Sequence, residues 1–151
     1  MARTGPILYL FLSLITVSIF SEAQGASNFS DVDEILRQSG TKRKDFRTFK
    51  SMFEFRNNPT TNGMLYDAQK NIIAFRLIGG SLDSLTYVSK LKHLQILNLF
   101  DNKIASLKGI GRISQLQYLD VAENNISDFS ALLALDHLNV VHLEINKNNT
   151  L

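Results

Sequence analysis

Leu94-Gln95-Ile96-Leu97-Asn98-Leu99-Phe100-Asp101-Asn102-Lys103-Ile104 returns 22 residues later with Leu116, Leu119, Val121, Asn124 and Ile126 in matching places. A third copy carries Leu138, Val141, Leu143 and Asn146, and an imperfect earlier one carries Ile72, Phe75, Leu77, Gly80 and Leu82. Each unit opens with a short strand pattern, in which alternate side chains point to opposite faces. Leu94, Leu97 and Leu99 then share an inward side with Ile104, Leu107, Ile110 and Ile113, seven apolar positions in 22 residues. The outer arc recurs as Ile126, Phe129, Leu132 and Leu135, and before it as Leu82, Leu85, Val88 and Leu91. No single unit can bury such a face alone, so neighbours must stack. At roughly 1.5–3 kcal/mol per buried large apolar side chain, that packing is the main source of stability.

The asparagines have another task. After Leu99 the chain leaves its strand and frees backbone N–H and C=O groups inside the coil. A side-chain amide carries donors and an acceptor, so Asn102, Asn124 and Asn146 are expected to satisfy those groups unit after unit. Gly80 holds the equivalent place in the first unit and lacks that side chain, which predicts an irregular first unit.

The motif L-x-x-L-x-L-x-x-N-x-L at this period resembles the leucine-rich repeat. Leu91 to Asn148 is similar to the 22-residue class found in phosphatase-regulatory subunits and bacterial internalins. Phe46 to Leu82 resembles, more weakly, the N-terminal cap of receptor-type members, through Phe49-Lys50, Gly63 and Asp67. The usual cap cysteines are missing, and Tyr66 stands where one is common. The resemblance implies an α/β fold: a leucine-rich-repeat solenoid, a right-handed β-α superhelix with short parallel strands on its concave face and a helical N-terminal cap. Four units start near 72, 94, 116 and 138.

The same resemblance implies protein–protein binding through the concave strands. Outward positions fall into columns: Ala74, Ile96, Tyr118 and Val140; then Arg76, Asn98, Asp120 and His142; then Ile78, Phe100, Ala122 and Glu144; finally Gly79, Asp101, Glu123 and Ile145. With adjacent strands about 4.8 Å apart, each column becomes a continuous stripe. Ile78, Ile96, Phe100 and Tyr118 form an apolar and aromatic patch beside the acidic Asp101, Asp120 and Glu123. Aromatic anchors with a charged rim are the usual composition of an interaction site. The expected partner-binding residues are Arg76, Ile78, Ile96, Asn98, Phe100, Tyr118, Asp120 and His142.

Upstream of the repeats the pattern changes. Arg3, the 14-residue, largely apolar run from Ile7 to Phe20, and the small residues Ala23 and Gly25 have the layout of a secretory signal peptide over 1–25. The run is short for a bilayer crossing, which needs about 20 apolar residues, so no membrane span is expected after cleavage. Residues 26–71 read as a cap and 72–151 as the repeats. Ser30, Asp31 and Asp33 resemble a helix start, Val32, Ile35 and Leu36 its apolar side, and Gly40 its stop. A second helix is expected from Lys42 to Phe55, with Phe46, Phe49 and Phe53 inward, ended by Asn57-Asn58-Pro59. Met64 to Tyr66 and Ile72 to Leu77 read as a hairpin.

Composition narrows the function classes. A formal charge of +2 gives no argument for a polyanionic partner, and the absence of cysteine excludes disulfides and thiolate chemistry. The basic Lys42-Arg43-Lys44, with Arg47 and Lys50, reads as a solvated helix face, not a nucleic-acid or heparin site, because Asp45 and Glu54 interrupt the charge and no aromatic is interleaved on the basic face. Asp120 and His142 share a column and make two-thirds of a hydrolytic triad, but no serine lies in the surrounding columns. His93 and His137 recur at one position, and two ligands without a third do not make a metal site. No Gly-rich phosphate loop follows a strand. Neither enzymatic activity nor a cofactor is expected.

The sequence therefore reads as a secreted or cell-surface module that binds another protein. The alternative is an intracellular regulatory or scaffold subunit of phosphatase-regulatory type with an uncleaved N-terminal anchor. Asn28, Asn125 and Asn148 head N-x-S/T sequons, glycosylation positions on a eukaryotic secretory route, with Asn125 in a solvent-facing turn. Leu151 aligns with Leu107 and Phe129, so the final unit stops midway and is expected to continue in a longer chain or to lie under a partner.

Overall fold

The computed structural model describes residues 29–146. The expected leader over 1–25 and the sequon asparagines Asn28 and Asn148 lie outside them. Six strands form one sheet in chain order: β1 (Arg47–Phe49), β2 (Gly63–Tyr66), β3 (Ile72–Arg76), β4 (Ile96–Asn98), β5 (Tyr118–Asp120) and β6 (Val140–His142). β3 to β6 run parallel, and their register is the 22-residue repeat itself: Ala74 faces Ile96, Ile96 faces Tyr118, and Tyr118 faces Val140. β2 and β3 form the expected antiparallel hairpin, and β1 adds parallel to β2.

The aligned aliphatic rows do share one interior. Leu94, Leu97, Leu99, Ile104, Ile110 and Ile113 are fully buried, as are Leu116, Leu119, Val121 and Ile126. Short 3-10 turns, Val88–Lys90, Ile110–Arg112 and Ser130–Ala134, carry the chain back from each strand to the next. The position after each strand loop is left-handed: Gly79 has φ 68°, Asp101 53°, Glu123 52° and Ile145 56°. Only the first of the four is the glycine that this conformation favours.

The asparagine ladder is present, and it reaches backward. Asn102 Nδ2 donates to Leu99 O in its own unit (3.1 Å) and to Leu77 O of the preceding one (2.8 Å), while its Oδ1 accepts from Leu82 N–H (3.2 Å). Asn124 does the same for Val121, Leu99 and Ile104, and Asn146 for Leu143, Val121 and Ile126. The first unit is thus served by Asn102 and needs no amide at Gly80. A Cβ added at Gly80 would sit 2.8 Å from Asn102 Oδ1, so glycine makes room for the ladder.

The region before the repeats departs from the sequence expectation in one element. Helix α1 spans 29–39 and buries Val32, Ile35 and Leu36. It stops as expected at Gly40 (φ 75°), where Thr41 N–H returns to Leu36 O and Gly40 N–H to Arg37 O. Ser30 is already inside this helix and does not cap it. The helix docks on the first unit through Ser81 N–H to Ser39 O and Lys90 Nζ to Asp31 (2.9 Å).

No helix spans Lys42 to Phe55. A 3-10 turn (Arg43–Asp45) and β1 occupy its first part, and only Met52–Arg56 is helical, here called α2. Ser51 caps α2 by accepting from Glu54 N–H, and the Glu54 carboxylate returns to Lys50 N–H (2.8 Å). Phe46 and Phe49 are buried as expected, but Phe53 is 79% exposed and Phe55 takes the inward place. Phe49 and Phe55 meet edge to face in a small second core with Leu65 and Ala74.

Candidate functional site

The outward columns stand as a sheet surface that is covered at one end and open at the other. Ala74 is fully buried under Phe49 and Phe55. Arg76, expected at the surface, is only 7% exposed. Its Nη1 donates to Asn58 O (2.6 Å) and Phe55 O (3.1 Å), and its guanidinium lies 4.1 Å over the Phe55 ring. The reason is the misplaced helix: α2 and the loop after it fold across β3, so the strand face opens only from β4 onward. Ile78 is half-buried for a related cause, since Asn62 exchanges two hydrogen bonds with its backbone.

From β4 to β6 the expected residues are side by side. Ile96, Asn98, Tyr118, Asp120 and His142 are partly exposed, and Val140 is 45% exposed. Phe100 is partly exposed one column along, whereas Ala122 is buried. Asn98 and Asp120 repeat one arrangement. Each bends its side-chain oxygen to the backbone N–H two residues on, at Phe100 (3.0 Å) and Ala122 (3.2 Å), and Asn98 Nδ2 donates to Asp120 Oδ2 (3.0 Å). Burial pushes the Asp120 carboxyl above its ordinary range, outweighing those bonds and the nearby imidazole. Burial raises the Tyr118 phenol as well, and the Asp120 charge adds to it.

The register sets Asp120 opposite His142, yet the carboxylate that approaches the imidazole is Glu144, 3.6 Å from Nδ1. His142 also leans on Tyr118, with ring centroids 5.6 Å apart. A carboxylate–imidazole–hydroxyl line of the hydrolytic kind is therefore not assembled among these residues. His93 and His137 are exposed, and no cluster of three metal-ligating side chains occurs among the described residues.

A groove of about 530 Å³ runs between α2 and strands β4 to β6. Met52, Phe55, Arg56 and Pro59 form its wall, and Ile96, Asn98, Tyr118 and Val140 are part of its floor. Sequence reasoning missed one column that also lines it, Gln95, Gln117 and Asn139. The signal was available, since these amides recur at the same 22-residue spacing as the rest. The wall was not legible, because it depends on α2 meeting strands distant in sequence. No helix among the described residues is long and apolar enough to cross a membrane.

No family model matches the chain, and neither does any curated protein. Among solved structures it is similar to that of PEPR1-AtPEP1, at 25% identity and TM-score 0.57, over 80% of this chain and 18% of that one. It is also similar to the internalin InlF of Listeria monocytogenes, at 23% identity and TM-score 0.46, over 56% of this chain and 26% of the other. Both are leucine-rich-repeat proteins. The chain spans about a quarter or less of the length of either.

Proposed function

We propose that the chain is a protein-binding leucine-rich-repeat module using the open strand face, a reading supported by its repeats and by its likeness to the PEPR1-AtPEP1 structure. Its repeats over 72–151 form a solenoid, the segment 26–71 is a cap with helical elements, and 1–25 is a secretory leader. The module acts outside the cell or at its surface, where Asn125 is a glycan acceptor. One observation carries the binding assignment. Ile96, Asn98, Tyr118 and Val140 line a single groove beside Asp120 and His142, so apolar, aromatic and polar groups converge on one surface. That mixture suits an interface better than a reaction centre. The similar structure of PEPR1-AtPEP1 supports the same reading.

A photo-crosslinking residue placed at Tyr118, compared with one at the opposite-side position Lys108, tests the face. A discrete covalent adduct with a protein of the native source should form from Tyr118 and not from Lys108. The double variant Phe100→Ala, Tyr118→Ala should lower affinity for that partner by at least about tenfold, the scale of an aromatic anchor. Its melting temperature should change little, since both rings are partly exposed. Adducts from Lys108 alone would move the site to the other side of the coil.

A further inference from the structure

The groove has a charge character that its own lining does not balance. Its lining includes two guanidinium groups, Arg56 and Arg76, and no carboxylate. Arg76 is more than nine-tenths buried, yet Nε has no hydrogen-bond partner among the described residues. No aspartate or glutamate acts on it; the titratable side chain nearest to it is the Tyr118 phenol, which burial keeps protonated and uncharged. Burying a cation without a counter-charge is costly, and burial accordingly lowers its proton affinity. Several other basic groups of this region do meet a carboxylate: Arg47 pairs with Glu54, Arg43 lies 3.8 Å from Asp33, and Lys90 meets Asp31.

Beside the guanidiniums stand the side-chain amides of Gln95, Asn98, Gln117 and Asn139. Amides on successive strands recur at about 4.8 Å and offer both donors and acceptors. An extended peptide offers the complementary groups on its backbone.

We propose that the groove binds an acidic segment of the partner protein, an extended stretch whose aspartate or glutamate side chains pair with Arg76 and Arg56 while the amide column hydrogen-bonds its backbone. The proposal rests on the strand-face reading above and names what that face recognises. Two guanidiniums call for more than the single charge of a chain terminus, which favours internal acidic side chains. A guanidinium has the fork geometry for a carboxylate, and Arg76 lines the groove with its Nε unpartnered among the described residues.

The test uses the full chain and fluorescent peptides of alternating Glu and Ser, acetylated and amidated, followed by anisotropy. Matching Gln-Ser peptides serve as the neutral arm, one amidated and one with a free C-terminal carboxylate. The acidic probe should bind at least roughly tenfold more tightly than either neutral one. Arg56→Gln, on an exposed residue, should weaken it several-fold without altering the fold. Arg76→Lys, which keeps the charge but loses the fork, should do likewise, with melting curves recorded for both. Lys42→Glu with Lys44→Glu, outside the groove, should leave binding essentially unchanged once salt is at 0.15 M.

Equal binding of acidic and neutral peptides overturns the proposal, as does acidic binding that survives both arginine changes. Tighter binding of the free-terminus peptide than of the acidic one overturns it in favour of a chain end. Equal displacement by heparin and by unlabelled acidic peptide, with loss in the Lys42, Lys44 variant, reduces it to unspecific polyanion attraction. If the acidic probe fails while Tyr118 still crosslinks its partner, only the charge assignment falls; if both fail, the strand-face reading falls too.

Discussion

Asn102, Asn124 and Asn146 each bind groups of two consecutive units, so each is a clamp between coils and not only a local plug. Their positions can be read from the repeat, but the direction in which they reach cannot. A period locates equivalent residues without saying which neighbour supplies a carbonyl. The backward reach explains why Gly80 does no harm: nothing of this kind precedes the first unit for it to bind. The same limit applies at Asp101, Glu123 and Ile145, where the left-handed backbone is betrayed in sequence only by Gly79. Asn102→Ala should unfold the protein at markedly lower urea concentration, with a loss of about 2–4 kcal/mol. Several groups are left unmatched at ~1–3 kcal/mol each, and the bonds to Leu82, Leu77 and Leu99 are all buried. Asn146→Ala should lose somewhat less, because Leu143 is partly and Ile145 largely exposed and water can substitute at the Leu143 carbonyl. Urea titrations with unchanged slopes measure both. Equal losses would show that the clamps act independently of their surroundings.

Among the elements, α2 has the largest consequence for its length. Five residues cannot sustain a helix by propensity, so its cap and its packing must hold it. The sequence carried the signal as Ser51 followed by Glu54, a capping pair, but the spacing of Phe46, Phe49 and Phe53 suggests a longer helix through the same place. Phe53 is exposed, and the other two are buried for different reasons: Phe46 packs against Phe75 with the repeat interior, whereas Phe49 joins Phe55 in the second core. Periodicity reports that a residue is inward and cannot say into which core. The strands β3 to β6, by contrast, were legible to the residue, because one register error would turn every leucine outward. Ser51→Ala removes the cap and should cost ~0.5–2 kcal/mol. Its second effect is on the groove, since α2 supplies the wall. The affinity of the acidic peptide should fall with it, while β4 to β6 keep their amide protection in hydrogen exchange. Loss of protection in those strands instead would tie the wall and the sheet into one cooperative unit.

Across the whole molecule, burial is graded along the stack. Leu99 is fully buried, its counterpart Leu143 two units later only partly, and Val140, Val141 and Ile145 are 45%, 40% and 68% exposed. A stack whose units touch only their neighbours has no obligation to be equally stable throughout. Each unit's stability is its own packing plus the contacts on its two sides. The α1 side is sealed, with Val32, Ile35 and Leu36 joining the common core and Asp31 held by Lys90. The interior near β6 is packed on fewer sides among the described residues. Leu99→Ala and Leu143→Ala are the same chemical change at the same place in the repeat, so their difference isolates this gradient. Leu99→Ala should cost about 3–5 kcal/mol, the range for a leucine in a core that cannot collapse. Leu143→Ala should cost about 1–2 kcal/mol, since part of its side chain already meets water. Native-state hydrogen exchange should follow the same order, with the Leu99 N–H bonded to Asp120 O exchanging more slowly than the Val121 N–H bonded to His142 O. Similar costs and rates at both places would mean that the stack melts as a single unit. The strand face near β6 would then be as rigid as its centre, and binding there would carry no ordering cost.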